Sequence, residues 1–194
     1  MKRTLAVAAL ATLLMLAPAG AATTYTVDPS HSEVSFQIRH LVSKVRGSFR
    51  DFDATIVRDE QNSAASSVTF RIRAASIDTG HERRDKHLRS ADFFDVEKHP
   101  EIVFQSTAVE KVSDTTYDIT GDLTIHGVTK SVTLPVTFGG EMPAPGGGVA
   151  AGFSTAAMID RLDYGITWNR TLDNGGLLLG DGVAVIIDLS ARRQ

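Results

Sequence analysis

The 194-residue sequence contains no cysteine. That excludes a disulfide framework, a thiol nucleophile, an iron–sulfur cluster and cysteine-ligated zinc. No apolar run approaches the roughly 18 residues that a membrane-spanning helix needs, so no integral membrane segment is expected. A basic excess is missing as well: 20 Lys and Arg stand against 23 Asp and Glu, a net charge of −3. This argues against nucleic acid or an anionic membrane as the main partner. Proline is scarce, with six residues, and there is a single tryptophan.

What is present begins with a processing signal. Lys2-Arg3 precedes an apolar stretch over residues 5–16, and Ala17-Pro18-Ala19-Gly20-Ala21-Ala22 follows. A charged n-region, a short h-region and small residues before a cut describe a secretory signal peptide over 1–22, cleaved near 19–22. Removing Lys2 and Arg3 takes the charge from −3 to −5. The expectation is one exported domain over 23–194, periplasmic or secreted, with the periplasm favoured.

Along that domain, period-2 alternation dominates. Residues 33–42 place Val34, Phe36, Ile38, His40 and Val42 on one face, with Ser35, Gln37 and Arg39 on the other. Residues 67–75, 116–125 and 128–138 repeat the pattern, the last with Val132, Leu134, Val136 and Phe138 against a row of threonines. Such segments are half-buried antiparallel strands. Weaker strands are expected at 25–27, 47–58, 101–109, 149–159 and 183–189. His126-Gly127 is short enough for a tight hairpin. Residues 81–94 and 160–168 read as short helical or irregular segments instead. The fold class is all-β: an eight-stranded antiparallel barrel with one or two short helical segments, or a sandwich as the other arrangement. Polar side chains such as Arg39, Arg71 and Asp122 alternate outward, so this is the reverse of an outer-membrane barrel, whose outer band is apolar. Periodicity leaves open whether the interior is packed or hollow.

Catalytic signals are few. The six histidines, His31, His40, His81, His87, His99 and His126, form no ligand-spaced motif, so no metal site and no cofactor are expected. No G-x-S-x-G elbow precedes a helix, and Gly146-Gly147-Gly148 lacks the Lys-Ser/Thr of a phosphate loop. No catalytic residue is assigned.

An ordered set of motifs resembles the YceI-like family. It opens with Asp28-Pro29-Ser30-His31-Ser32-x-Val34-x-Phe36 and His40. It continues through Gly47-Ser48-Phe49, Ile77-Asp78-Thr79 and Arg84-Asp85-Lys86-His87-Leu88-Arg89-Ser90-x-Asp92-Phe93-Phe94-Asp95. Then come His99-Pro100-x-Ile102-x-Phe104, Gly121-Asp122-Leu123-Thr124-Ile125-His126-Gly127-Val128-Thr129-Lys130, Arg161-x-Asp163-Tyr164-Gly165-Ile166 and Gly180-Asp181-x-Val183. Tyr164 stands where Phe is commoner in the family.

The resemblance implies an extended, lipocalin-like eight-stranded barrel that holds a polyisoprenoid chain along its apolar interior. It implies roles in isoprenoid or isoprenoid-quinone transport, sequestration or storage, often in stress settings, and it carries over no catalytic template. The expected ligand is thus an isoprenoid lipid. The candidate tunnel lining is Val34, Phe36, Ile38, Phe70, Ile72, Phe104, Leu123, Ile125, Val132, Leu134 and Phe153, each equally readable as ordinary barrel core. His40 continues the apolar face and could meet a polar head group or sit as a satisfied core histidine. Trp168 could cap one end. Arg84 and Arg89 are the head-group candidates, since guanidinium binds phosphate bidentately; the plainer reading pairs these charges with Asp85, Asp92 and Asp95. An enzyme acting on an isoprenoid or quinone head group, and a ligand-free stress protein, are the other classes. Exposed edges at an open seam would support a homodimer.

Overall fold

The computed structural model describes residues 22–173 and 175–194. The expected signal peptide over 1–22 therefore lies outside the described residues, Ala22 excepted. Eleven strands occur in chain order: β1 (Thr23–Val27), β2 (Glu33–His40), β3 (Ser43–Phe49), β4 (Phe52–Arg58), β5 (Ser67–Arg73), β6 (Ile77–Asp78), β7 (Glu101–Lys111), β8 (Thr116–Ile125), β9 (Val128–Pro143), β10 (Val149–Asp160) and β11 (Leu179–Arg193). One α-helix, α1 (Glu82–Arg89), lies between β6 and β7.

The strands close into a ring of eight, β1-β4-β5-β7-β8-β9-β10-β11 and back to β1, all antiparallel. β2, β3 and β6 extend three of these staves rather than adding new ones. β11 pairs with β1 through Tyr25↔Arg193 and then with β2 through Val34↔Ile187, so β1 and β2 share one side of it. Likewise β1 pairs with β4 while β2 pairs with β3, and β6 pairs with β3 beyond the point where β5 leaves β4. Each break is local. Between β1 and β2, Asp28 caps a 3₁₀ turn at Pro29–His31, and hydrogen bonds from Ser30 and His31 hold its carboxyl down to about 2. The ring is closed by β1 and β11, but β9 and β10 part beyond Val136↔Thr155, where β9 continues with β8 alone and β10 with β11 alone.

Alternation puts the apolar side chains inside, as the strand period demands. Outside, Thr120 pairs with Thr133 and Thr124 with Thr129, both at 2.8 Å across β8 and β9. The core runs along the lumen from Tyr25 and Val34 to Phe70, Ile72, Ile102 and Phe104. Phe104 lies across the neighbouring strand because Gly121 has no side chain: a Cβ there would stand 2.6 Å from the ring.

Two sequence boundaries shift. The strand expected over 33–42 ends at His40, and Leu41 and Val42 turn the chain into β3, a strand the alternation alone did not separate. Leu41 has φ +54°, a conformation that branched apolar residues seldom signal, and Val42 is fully exposed rather than inward. The segment 160–168 forms only one 3₁₀ turn at Arg161–Tyr164, which Gly165 ends in the left-handed conformation.

Candidate functional site

The lumen holds two chambers in line. The inner one, about 190 Å³, lies deep in the barrel among Val34, Phe70, Ile72, Phe104, Leu134 and Phe153. The outer one, about 720 Å³, lies between the strand ends and α1. Phe36, Phe49, Ile102, Ile125, Ile159 and Val185 border both, so the two chambers adjoin across these six apolar side chains and together form the passage along the lumen.

At the far end the passage is filled. Tyr25, 1% exposed, donates its phenol to Glu141 and meets Phe153 edge to face. Burial, reinforced by the Glu141 carboxylate, pushes that phenol up to about 12. Arg58 lies over the Phe138 ring at 4.2 Å and pairs with Glu60. Burial pulls against its charge, but Glu60 and Tyr117 outweigh the penalty and keep the guanidinium protonated. Among the described residues, Arg58 Nε and Thr155 Oγ1 are buried without a hydrogen-bond partner, and both residues border the inner chamber.

The near end is covered by α1. His81 accepts the Arg84 amide hydrogen as N-cap, and Ser90 ends the helix. Buried Asp85 accepts from the Thr79 amide at 3.0 Å and from the Thr79 hydroxyl. Arg84 binds Thr79 Oγ1 at 2.7 Å and its carbonyl at 2.8 Å. Arg89 donates to the carbonyls of Ala75 and Ile77, both at 2.7 Å. The other flank of the helix is aromatic: His87 packs edge to face on Phe93 and on Trp168, with Phe93 against Trp168 at 5.2 Å.

Trp168 is held by a residue whose role the sequence did not signal. Arg161, 5% exposed, donates to the carbonyls of Gly180 at 3.0 Å, Ile166 at 2.6 Å and Trp168 at 2.9 Å, and pairs with Asp181 at 3.1 Å. It ties segment 161–168 to the start of β11. Arg161 falls within one of the family-like blocks, but nothing in an isolated Arg-Leu-Asp-Tyr marks a buried clasp.

The structure brings most of the expected lining together. Val34, Phe70, Ile72, Phe104, Leu123, Leu134 and Phe153 border the inner chamber, Phe36 and Ile125 both chambers, and Ile38, His40 and Trp168 the outer one. Val132 borders neither; it packs on the core opposite Gly121, beside the ring of Phe104. Arg84 borders the outer chamber, whereas Arg89 is consumed by the carbonyls of Ala75 and Ile77 and does not. The helix instead offers Arg83 and Lys86, which border the outer chamber and whose side chains have no hydrogen bond or ion pair among the described residues. The inner wall also takes Tyr117 and Ile119, which the alternation over 116–125 puts on the apolar face, and Phe49 and Ile187 from segments whose alternation is weaker.

Comparison with known proteins agrees with this architecture. Residues 25–191 match the model of the YceI-like domain. A UPF0312 protein of Pseudomonas putida strain W619 is 43% identical over 180 residues, covering 89% of this chain and 94% of that one. Burkholderia cenocepacia BcnA superposes with a TM-score of 0.75 at 26% identity, over 84% of this chain and 98% of its own. A polyisoprenoid binding domain from Saccharophagus degradans, implicated in plant cell wall breakdown, gives a TM-score of 0.67 at 14% identity, over 88% and 98%. At that identity the likeness speaks to fold alone.

Proposed function

Because the chain belongs to the YceI-like domain family, we propose that it is a binding protein for a long-chain isoprenoid lipid, of polyprenyl or isoprenoid-quinone type. The single observation that carries the reading is the pair of adjoining apolar chambers, about 190 and 720 Å³, that share six lining side chains along the barrel. A prenyl chain offers only apolar surface, and each buried CH₂ contributes ~0.8 kcal/mol, so a five-carbon unit contributes ~4 kcal/mol before ordering costs. The passage is narrow at one end and wide at the other, which suits a linear tail with a bulkier head. The tail enters the inner chamber, and the head stays in the outer chamber near His40, Arg84, Arg83 and Lys86.

In this reading the protein carries, sequesters or stores the lipid in the periplasm after export by the signal peptide over 1–22. Binding rather than catalysis is the assignment, and the Saccharophagus degradans neighbour is itself described as a polyisoprenoid binding domain. The test is native mass spectrometry of the protein purified from its own host, followed by organic extraction. The expected result is one co-purifying prenyl species per chain. A protein that is consistently empty, and takes up no added polyprenol, would sink the proposal.

A further inference from the structure

Outside both chambers, two connecting segments bring three metal-ligating groups together. Asp95 lies in the loop after α1, His99 just before β7, and His126 in the turn between β8 and β9. One ligand atom from each lies within 4.8 Å of the other two. The imidazole rings of His99 and His126 meet edge to face with centroids 4.8 Å apart.

We propose that Asp95, His99 and His126 form a binding site for a divalent transition-metal ion of the zinc class, with solvent completing its coordination. Two imidazoles and one carboxylate form a donor set that suits Zn²⁺ and leaves a fourth position open. An ion at the centre of a triangle with 4.8 Å edges lies about 2.8 Å from each corner, so each group moves inward by about 0.7 Å to reach a ~2.1 Å bond. Side-chain rotation supplies a shift of that size without moving the strands.

The groups are also prepared as ligands. His126 Nδ1 faces the Tyr164 carbonyl at 3.3 Å, and a carbonyl can only accept, so Nδ1 carries the hydrogen and Nε2 keeps its lone pair. This is the outer-shell support that ligating histidines generally have. Lys98 binds Asp95 Oδ2 at 2.7 Å, and that hydrogen bond holds the carboxyl below its ordinary range. Among the described residues, Asp95 Oδ1 has no hydrogen-bond partner.

The backbone is shaped around the trio. Among the described residues only three other than glycine have positive φ, and two of them are Asp95 at +44° and His126 at +51°. Such conformations are costly and concentrate where geometry serves a site. Gly127, φ +77°, completes the cradle: a Cβ there would stand 2.6 Å from His99 Cε1. A bound ion would tie the loop after α1 to the β8–β9 turn, and so cross-link the cover to the barrel.

The test is titration of the untagged protein with Zn²⁺ by calorimetry, with Co²⁺ as the visible-absorbing substitute. The expected result is saturation at one equivalent, Co²⁺ d–d absorption typical of low coordination number, and a higher unfolding temperature with Zn²⁺. Asp95→Asn, His99→Gln and His126→Asn should each weaken binding at least tenfold, while His31→Asn changes nothing. Asn tolerates the left-handed backbone at 95 and 126, so circular dichroism of those two variants should match the parent. Should His99→Gln fail to fold, these two decide the matter. Absence of saturable binding in the parent protein, or binding undiminished in the folded variants, would overturn the assignment.

Discussion

At one end of the barrel Tyr25, Arg58, Phe138 and Phe153 fill the lumen, with the Tyr25 phenol on Glu141 and the Arg58 guanidinium over Phe138. At the other end α1 and Trp168 stand over a chamber of about 720 Å³, and two helix cations have no protein partner among the described residues. Both ends use arginine, with opposite results. Arg58 is part of the filling, whereas Arg161 is a clasp that keeps a space open by pinning the segment that bears Trp168. The same alternating strands therefore yield a packed end and an open end, and the difference comes from what the connecting segments place over the strand ends.

The largest effect should come from cutting the clasp. Arg161→Ala leaves the carbonyls of Gly180, Ile166 and Trp168 without their donor, and each buried acceptor left unsatisfied costs about 1–3 kcal/mol. Guanidinium unfolding should show this, with Trp168 emission shifting toward that of exposed indole. A loss below about 1 kcal/mol would mean that the open end is held by something else.

Next is a change between the two ends. Ala157 borders the inner chamber, and Ala157→Trp fills it. Long prenyl chains should then bind about 2–4 kcal/mol less tightly, the burial of several CH₂ groups, while short chains lose less. Binding across a chain-length series measures this, and equal losses at every length would break the tail-inward arrangement.

A smaller effect is expected at the filled end. Tyr25→Phe removes one buried hydrogen bond to Glu141, about 1–2 kcal/mol of stability, and should leave lipid affinity unchanged. Because the Tyr25 phenol titrates at about 12 in the folded chain rather than near 10, its contribution is complete below pH 10 and fades as pH rises toward 12. Unfolding curves between pH 9 and 12 should show that decline in the parent protein and less of it in Tyr25→Phe.

The smallest effect should come from the exposed cations. Arg83→Gln with Lys86→Gln should weaken a prenyl phosphate by less than about 1 kcal/mol per charge, more at low salt, and leave a prenyl alcohol unaffected. An equal loss for both ligands would show that the cations do not face the head.

How far the sequence discloses this molecule follows the same division. Strands and their inward faces were legible because a period of two is imposed by the backbone, and the eight staves follow from their number and spacing. The ends were less so. The β2–β3 turn is made by Leu41 and Val42, which look like a continuing apolar face, because the turn borrows a conformation that its residues do not advertise. Arg89 and Arg84 are alike in sequence and both donate to backbone carbonyls, yet only Arg84 borders the chamber, a choice made by where α1 sits. Arg161 reads as an ordinary charge until the chain folds over it. His99 and His126 share no motif, and only the meeting of a β7 lead-in with a β8–β9 turn brings their rings together.

The central claim is the direction of the ligand, head under α1 and tail toward Tyr25. Trp168, the only tryptophan in the sequence, stands at the open end and serves as a fixed reporter. A prenyl lipid with a nitroxide at its head should quench Trp168 emission strongly, and the same lipid labelled at the tail terminus should scarcely change it. Stronger quenching from the tail label, or equal quenching from both, would contradict the account.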